Sequence, residues 1–180
     1  PGMGMDKETQ SLILKLIKTV NLPIIVDADG LTALASPPKT LPAANKSLVL
    51  TPQPGEMAKL LRSTVKEVQG DRIGISRNFS HSHQAHLVLK GYRTVIATPK
   101  GDIFINSAGH PGMTSGASND VLSGMIGGLI CQGWDLPSSL QIAVSLHGWA
   151  GEVAAREMGE RCLMATDILQ KLPTLLHPNP

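Results

Sequence analysis

Cysteine is almost missing from this chain. Cys131 and Cys162 are the two present; they form no metal-type pair, and in a reducing compartment each is expected to behave as a small buried apolar residue rather than as half of a disulfide. Aromatic residues are as scarce: Trp134, Trp149, Tyr92, Phe79 and Phe104 complete the set, which argues against base-stacking platforms for nucleic acid. An excess of one charge is missing too. Lys plus Arg number 16 against 14 Asp plus Glu, a net charge of +2, too balanced for a nucleic-acid or membrane-surface footprint. No apolar run approaches the ~18 to 20 residues that a membrane-spanning helix needs, and Pro1 to Asp6 lacks the charged-then-apolar pattern of a signal peptide. A soluble, cytoplasmic protein with no nucleic-acid and no membrane partner is expected.

What is present is a chain of 180 residues, 42% of them hydrophobic, enough for one buried core. Asp6 is placed to cap a first helix whose Leu12, Ile13, Leu16, Ile17 and Val20 recur three and four apart, one buried stripe. Short apolar runs then break into polar turns: Ile24-Ile25-Val26 into Asp27-Ala28-Asp29-Gly30, Leu48-Val49-Leu50 into Thr51-Pro52-Gln53-Pro54-Gly55-Glu56, and Leu87-Val88-Leu89 into Lys90-Gly91. Strand, polar loop, helix is the α/β pattern. Thr94 to Thr98 and Asp102 to Asn106, joined by Pro99-Lys100-Gly101, read as a hairpin, an antiparallel edge on a mostly parallel sheet. A loop over Ser107 to Ser115 leads into a long apolar helix from Gly116 through Ile130, and a further helix is predicted over Pro137 to Met158. Gly124, Gly127 and Gly128 fall inside the first of these, where close contact with a neighbour would offset their helix cost. Pro37-Pro38 to Pro42 and His177 to Pro180 are the stretches expected to be least ordered.

In an open parallel sheet, ligands bind beyond the carboxyl ends of the strands. The glycine-bearing loop before Gly116 delivers the chain to a helix start, where unpaired N–H groups and the positive end of the dipole suit a phosphate. Asp120 is expected in the first turn, where the same dipole favours its ionised form; it is either a base for an attacking hydroxyl or a residue that stabilises its own helix. Lys90, Gly91 and Thr94 offer an ammonium, a close backbone approach and a hydroxyl to a polyphosphate, or form a solvated strand edge. Thr51 to Met57 reads as a rigid wall of a site or a plain strand-to-helix turn. Asp27 and Asp29 could reach Mg²⁺ through water or cap the next helix. His81, His83 and His86 lack the fourth ligand of a zinc site and read as a solvated segment. No metal ligands are assigned. Met113, Met125 and Met164 read as fillers.

These segments, in this order, resemble the NAD(P)H-hydrate dehydratases, a branch of the ribokinase-like fold, over nearly the whole chain. The residues that carry the likeness are Pro1-Gly2-Met3-Gly4, Asp27-Ala28-Asp29, LTPQPGEM over Leu50 to Met57, LKGYRT over Leu89 to Thr94, Gly109-His110-Pro111-Gly112-Met113, Gly116-Ala117-Ser118-Asn119-Asp120-Val121-Leu122 and Leu163-Met164-Ala165-Thr166-Asp167. The resemblance implies ADP-dependent (ATP-dependent in eukaryotic members) dehydration of the S epimer of hydrated NADH or NADPH: the nucleotide phosphorylates the ring hydroxyl, and phosphate then leaves. It implies that Lys90, Gly91, Tyr92, Arg93 and Thr94 hold the nucleotide together with His110, Pro111, Gly112, Met113, Thr114, Ser115, Gly116, Ala117, Ser118 and Asn119. Gly4, Thr51, Pro52, Gln53, Pro54, Gly55, Glu56, Met57 and Asp120 would face the hydrated dinucleotide. Asp120 would be the base, and Mg²⁺ would neutralise the polyphosphate.

The chain departs from the family pattern at Ala117 and Asn119, which replace glycines of the anion-binding turn, and at Gln53, which replaces a histidine. Asn is the non-glycine residue that best tolerates a left-handed backbone. Family members also carry a further N-terminal part, so residues 1 to 180 are expected to be one N-terminally incomplete domain whose exposed sheet edge favours a homo-oligomer. Two alternatives stand beside the dehydratase: a ribokinase-like kinase for a vitamin-precursor alcohol, and a catalytically impaired nucleotide-binding or oligomerisation module.

Overall fold

A computed structural model describes residues 1–35, 47–114 and 116–177. The expectations for Pro37 to Pro42, for Ser115 and for the last three residues lie outside the described residues. The chain divides into two compact units, Pro1–Ile105 and Asn106–Pro180.

The first unit carries α1 (Lys7–Thr19), β1 (Ile24–Val26), α2 (Asp29–Ala35), β2 (Leu48–Leu50), α3 (Pro54–Leu61), α4 (Val65–Gly70), α5 (Arg72–His83) and strands β3 (His86–Leu89), β4 (Val95–Ala97) and β5 (Ile103–Ile105). The strands lie in chain order in one sheet. β1, β2 and β3 run parallel, with Ile24 opposite Leu48 and Leu50 opposite Leu87; β4 and β5 continue antiparallel, with Leu89 opposite Val95 and Ala97 opposite Ile103. The mostly parallel sheet with an antiparallel edge hairpin is therefore as the apolar runs predict. The all-apolar Leu48 to Leu50 is fully buried, as strands covered on both faces are. Gly101, with φ +93°, makes the hairpin turn, and Thr98 Oγ1 donates to Asp102 Oδ2 across it at 2.9 Å.

Asp6 caps α1, accepting from the Thr9 N–H at 2.8 Å. The predicted stripe is only half buried. Ile13 and Ile17 enter the core with Leu31, Leu50, Met57 and Leu87, whereas Leu12 and Leu16 are 48% and 40% exposed. Both histidines nearest β3 also depart from the solvated reading: His83 packs its ring 4.4 Å from Phe79, and His86 is a buried strand residue. Among the described residues no group of His, Cys, Asp and Glu is arranged to hold a metal.

The second unit is helical: a 3-10 turn (Pro111–Thr114), α6 (Gly116–Cys131), α7 (Leu136–Met158), a second 3-10 turn (Glu160–Cys162) and α8 (Ala165–Leu176). Asp135 caps α7 and accepts from Ser138 N–H at 3.0 Å. Ala150, Ala154, Leu163 and Ile168 form its core with Met113 and Leu172. Cys131 and Cys162 are free and exposed rather than buried, since each ends its element on the solvent side. Gly124 and Gly128 are exposed, and among the described residues no atom of another element lies near the place of a Cβ, so the expected close contact is not found at either position. No helix among the described residues is long and apolar enough to cross a membrane.

Candidate active site

In the first unit the candidate residues follow the carboxyl ends of the three parallel strands, where an open α/β sheet presents its loops. Asp27 directly follows β1 and is buried. Its Oδ1 receives Lys90 Nζ at 2.7 Å, the two side chains being 1% and 8% exposed. The structure turns the Lys90 ammonium inward, past β2 to the end of β1, rather than to solvent or a polyphosphate. Ala28 takes a left-handed φ of +49°, and the Asp29 Oδ2 that follows accepts from the Gly4 N–H at 3.0 Å, tying the N-terminal glycine segment to the start of α2.

Thr51 is fully buried, and its Oγ1 and N–H both reach the Val26 carbonyl, at 3.3 and 3.2 Å. The Pro52 carbonyl accepts from Lys90 N–H at 2.8 Å, so the second strand end is stitched to the first and third. Pro54 opens α3 in the position that suits its missing N–H, and Glu56 Oε2 reaches back to the Gln53 N–H at 2.7 Å. Met57 is buried beneath; Gln53 and Gly55 are exposed, with Pro54 and Glu56 half-buried. Of this segment, Gln53 to Glu56 can touch a ligand, while Thr51 and Met57 hold it in place.

The Lys90–Thr94 turn is built from two left-handed residues, Gly91 (φ +128°) and Arg93 (φ +55°), and is closed by Thr94 Oγ1 donating to Gly91 O at 3.1 Å. Tyr92 is 83% exposed, with the Arg93 guanidinium 5.4 Å from its ring. Since the Lys90 side chain is committed to Asp27, the turn offers its backbone, Tyr92 and Arg93 outward. Arg72, at the start of α5, lies against this turn. Its Nη2 donates to Leu89 O at 2.9 Å, and partial burial pushes its guanidinium below the ordinary value. Nothing in the sequence singled it out, because an Arg opening a helix reads as a surface charge.

In the second unit the loop before α6 is fixed by α7. Asn106 Nδ2 donates to Ala108 O at 2.7 Å; Gly109 N–H donates to Glu152 Oε1 at 2.8 Å; Gly112 N–H donates to His110 Nδ1 at 3.2 Å. A Cβ on Gly112 would meet the Glu160 carbonyl at 2.8 Å, one on Gly148 the Ala108 backbone at 2.8 Å, and one on Gly151 the Met113 sulfur at 2.1 Å. The loop thus sinks into the surface of α7, and Gly148, Gly151 and Glu152 are site-shaping residues that the sequence reading missed. Their signal was two glycines three apart inside a helix.

The first-turn N–H groups of α6, Gly116 to Ser118, are left by helix geometry without intrahelical acceptors, and groups of this kind can receive an anion. Ser118 is buried, and His147 Nε2 lies 2.9 Å from its carbonyl and 3.1 Å from its Oγ. A carbonyl only accepts, so that nitrogen carries the hydrogen. Asp120 follows on the fifth residue of α6, one beyond the expected first turn, and is exposed. Asn119 sits in regular helix with no positive φ, so the glycine-like backbone expected there is absent. Chemically, this unit offers an amide cradle followed by a free carboxylate; the first offers a rigid turn and a polar segment beside a buried ion pair.

Comparison with known proteins places the whole chain beside one group of relatives. A "Bifunctional NAD(P)H-hydrate repair enzyme Nnr" of Moorella thermoacetica is 46% identical over 98% of this chain and 33% of its own length. The chain spans about a third of the length of the first curated relatives it matches. Among solved structures, an ADP/ATP-dependent NAD(P)H-hydrate dehydratase from Bacillus subtilis, co-crystallised with ATP/Mg²⁺ and soaked with CoA, superposes with a TM-score of 0.88 at 31% identity, covering 98% of this chain and 63% of that one. A ribokinase-like superfamily protein from Enterococcus faecalis superposes at 0.79 with 27% identity, covering 98% and 60%, so the fold is ribokinase-like. The profile described as NAD(P)H-hydrate dehydratase matches residues 1–174, and the chain belongs to that family.

Proposed function

We propose that this chain performs the nucleotide-dependent dehydration of the S epimer of hydrated NADH or NADPH, restoring the reduced cofactor, with ADP as the phosphate donor. The observation that carries the reading is Asp120, an exposed carboxylate immediately after the open amides at the start of α6. Phosphoryl transfer asks mostly for positioning and charge stabilisation. Gly116 to Ser118 would hold the transferring phosphate at the helix start. Asp120 would take the proton from the ring hydroxyl as its oxygen attacks the terminal phosphorus of ADP and AMP leaves; phosphate would then depart with that oxygen as the ring nitrogen's lone pair assists C–O cleavage and the neighbouring carbon gives up a proton, restoring the ring double bond.

Lys90 to Thr94 and His110 to Ser115 are assigned to the nucleotide, and Gly4 with Gln53 to Glu56 to the hydrated dinucleotide. Thr51, Pro52 and Met57 support that second segment from below. The donor set fits a Mg²⁺ carried on the polyphosphate rather than caged by protein, because Asp27 is held by Lys90 and Asp29 by Gly4. Such an ion supplies charge neutralisation to the phosphates. A cytoplasmic enzyme acting on free cofactor fits the balanced charge, and the exposed Leu12 and Leu16 on α1 support assembly into a homo-oligomer.

The test mixes the purified chain with hydrated NADPH, Mg²⁺ and either ADP or ATP, and follows the near-ultraviolet absorbance that only the dihydronicotinamide ring possesses. A nucleotide-dependent rise is expected. No rise, with ADP still raising the melting temperature, would favour the impaired binding module instead.

A further inference from the structure

Arg72 occupies a place where a cation has little reason to be. It opens α5, the end of a helix at which the dipole disfavours positive charge, and it forms no ion pair among the described residues. Its guanidinium instead bridges backbone. Nη1 donates to Gln69 Oε1 at 3.0 Å, while Nη2 donates to Leu89 O at 2.9 Å and to Lys90 O at 3.3 Å. Those two carbonyls mark the point where β3 passes into the Lys90–Thr94 turn.

The peptide plane converts this grip into an orientation. A trans peptide holds its C=O and the following N–H on opposite sides, so drawing the Lys90 carbonyl toward Arg72 turns the Gly91 N–H away from it. That N–H makes no hydrogen bond to the described residues. Gly91 is also the residue type the arrangement requires: its φ is +128°, and a Cβ there would stand 3.1 Å from Arg72 Nη1. The other supports of the turn act elsewhere, Lys90 N–H on Pro52 O and Lys90 Nζ on Asp27, leaving Arg72 as the group that sets the Lys90–Gly91 peptide.

We infer that Arg72 is a positioning residue whose hold on the Leu89 and Lys90 carbonyls aims the Gly91 N–H at a phosphate of the bound nucleotide. This rests on the reading of Lys90 to Thr94 as nucleotide-binding residues, and it adds the atom presented and the side chain that presents it. The unpaired guanidinium also leaves net positive potential against the turn, which favours a polyanion.

The experiment compares the full chain with Arg72→Met and Arg72→Lys, measuring ADP affinity by calorimetry and kcat and KM for ADP, at a temperature where circular dichroism shows each protein folded. Arg72→Met is expected to weaken ADP affinity and raise its KM about 10-fold, the scale of a lost charged hydrogen bond, with kcat held within about 3-fold. Arg72→Lys, which keeps the charge and one carbonyl contact, recovers part of that loss. It also stands in should Arg72→Met not fold, with an expected weakening of about 3-fold. A purely structural clamp would lower the folded fraction without this split of KM from kcat. ADP affinity unchanged in the folded variants, or kcat lost with KM intact, overturns the inference alone. A wild-type chain that binds no ADP overturns the nucleotide reading of the turn, and the inference with it.

Discussion

Lys90 Nζ and Asp27 Oδ1 meet at 2.7 Å between residues 63 positions apart in the chain, on strand ends separated in the sheet by β2. Both side chains are nearly closed to water. Desolvating two charges consumes most of what their attraction returns, but removing one partner strands the other. Asp27→Ala is therefore expected to cost ~3 to 5 kcal/mol in urea unfolding, and Asp27→Ala with Lys90→Met markedly less than the two single losses summed. Additive losses would show that the pair is not coupled.

Asp120 is assigned the proton. Asp120→Asn keeps the shape and the helix, so ADP affinity should stay close to wild type while kcat falls at least ~10²-fold, the scale of a lost general base. Turnover at the wild-type rate in this variant removes Asp120 from the reaction.

Two glycines of the second unit predict opposite outcomes. Gly148→Ala drives a methyl to within 2.8 Å of the Ala108 backbone, and the loop must move to admit it; the expected loss is ~1 to 3 kcal/mol. Gly128 on α6 is exposed with open space around it, so Gly128→Ala should gain up to ~1 kcal/mol from helix propensity alone. Melting temperatures shifting in the same direction would contradict this packing account.

His86 links stability to acidity. It is buried in β3, its Nδ1 has no partner among the described residues, and burial holds its imidazole below the ordinary 6.5. The folded chain thus favours the neutral ring, and the unfolded chain binds the proton first. Stability is fully present above the unfolded value and declines as pH falls through it toward the lower folded value. His83 on α5 is pushed the same way by partial burial. The urea midpoint should drop between neutral pH and about pH 5, and His86→Val should flatten part of that drop. An equally steep acid limb in the variant would clear His86 of the effect.

The strands and the turns after them were legible because their signals are local: apolar triplets ended by Pro, Gly or Asp, and a Pro-Lys-Gly hairpin turn. The family motifs extended that reading to candidate site residues. What the sequence hid depends on distance or direction. Nothing within a few residues of Lys90 points to Asp27, and the spacing of Leu12, Ile13, Leu16 and Ile17 does not tell which pair enters the core. Asn119 was expected to need a glycine-like backbone, yet α6 already includes it in regular helix, so Asn119→Gly would loosen that helix rather than repair a turn. Arg72 and Glu152 look like ordinary surface charges until their backbone partners are in place.

The pairing of Lys90 with Asp27 has a consequence for how the sheet assembles. Three parallel strands of three or four residues give few ladder bonds, and apolar triplets such as Leu48-Val49-Leu50 would fit nearly as well one step out of register. A slipped β3 would leave an ammonium and a carboxylate buried apart from each other. The ion pair thus works as a checksum on strand alignment, penalising misaligned sheets far more than it rewards the aligned one.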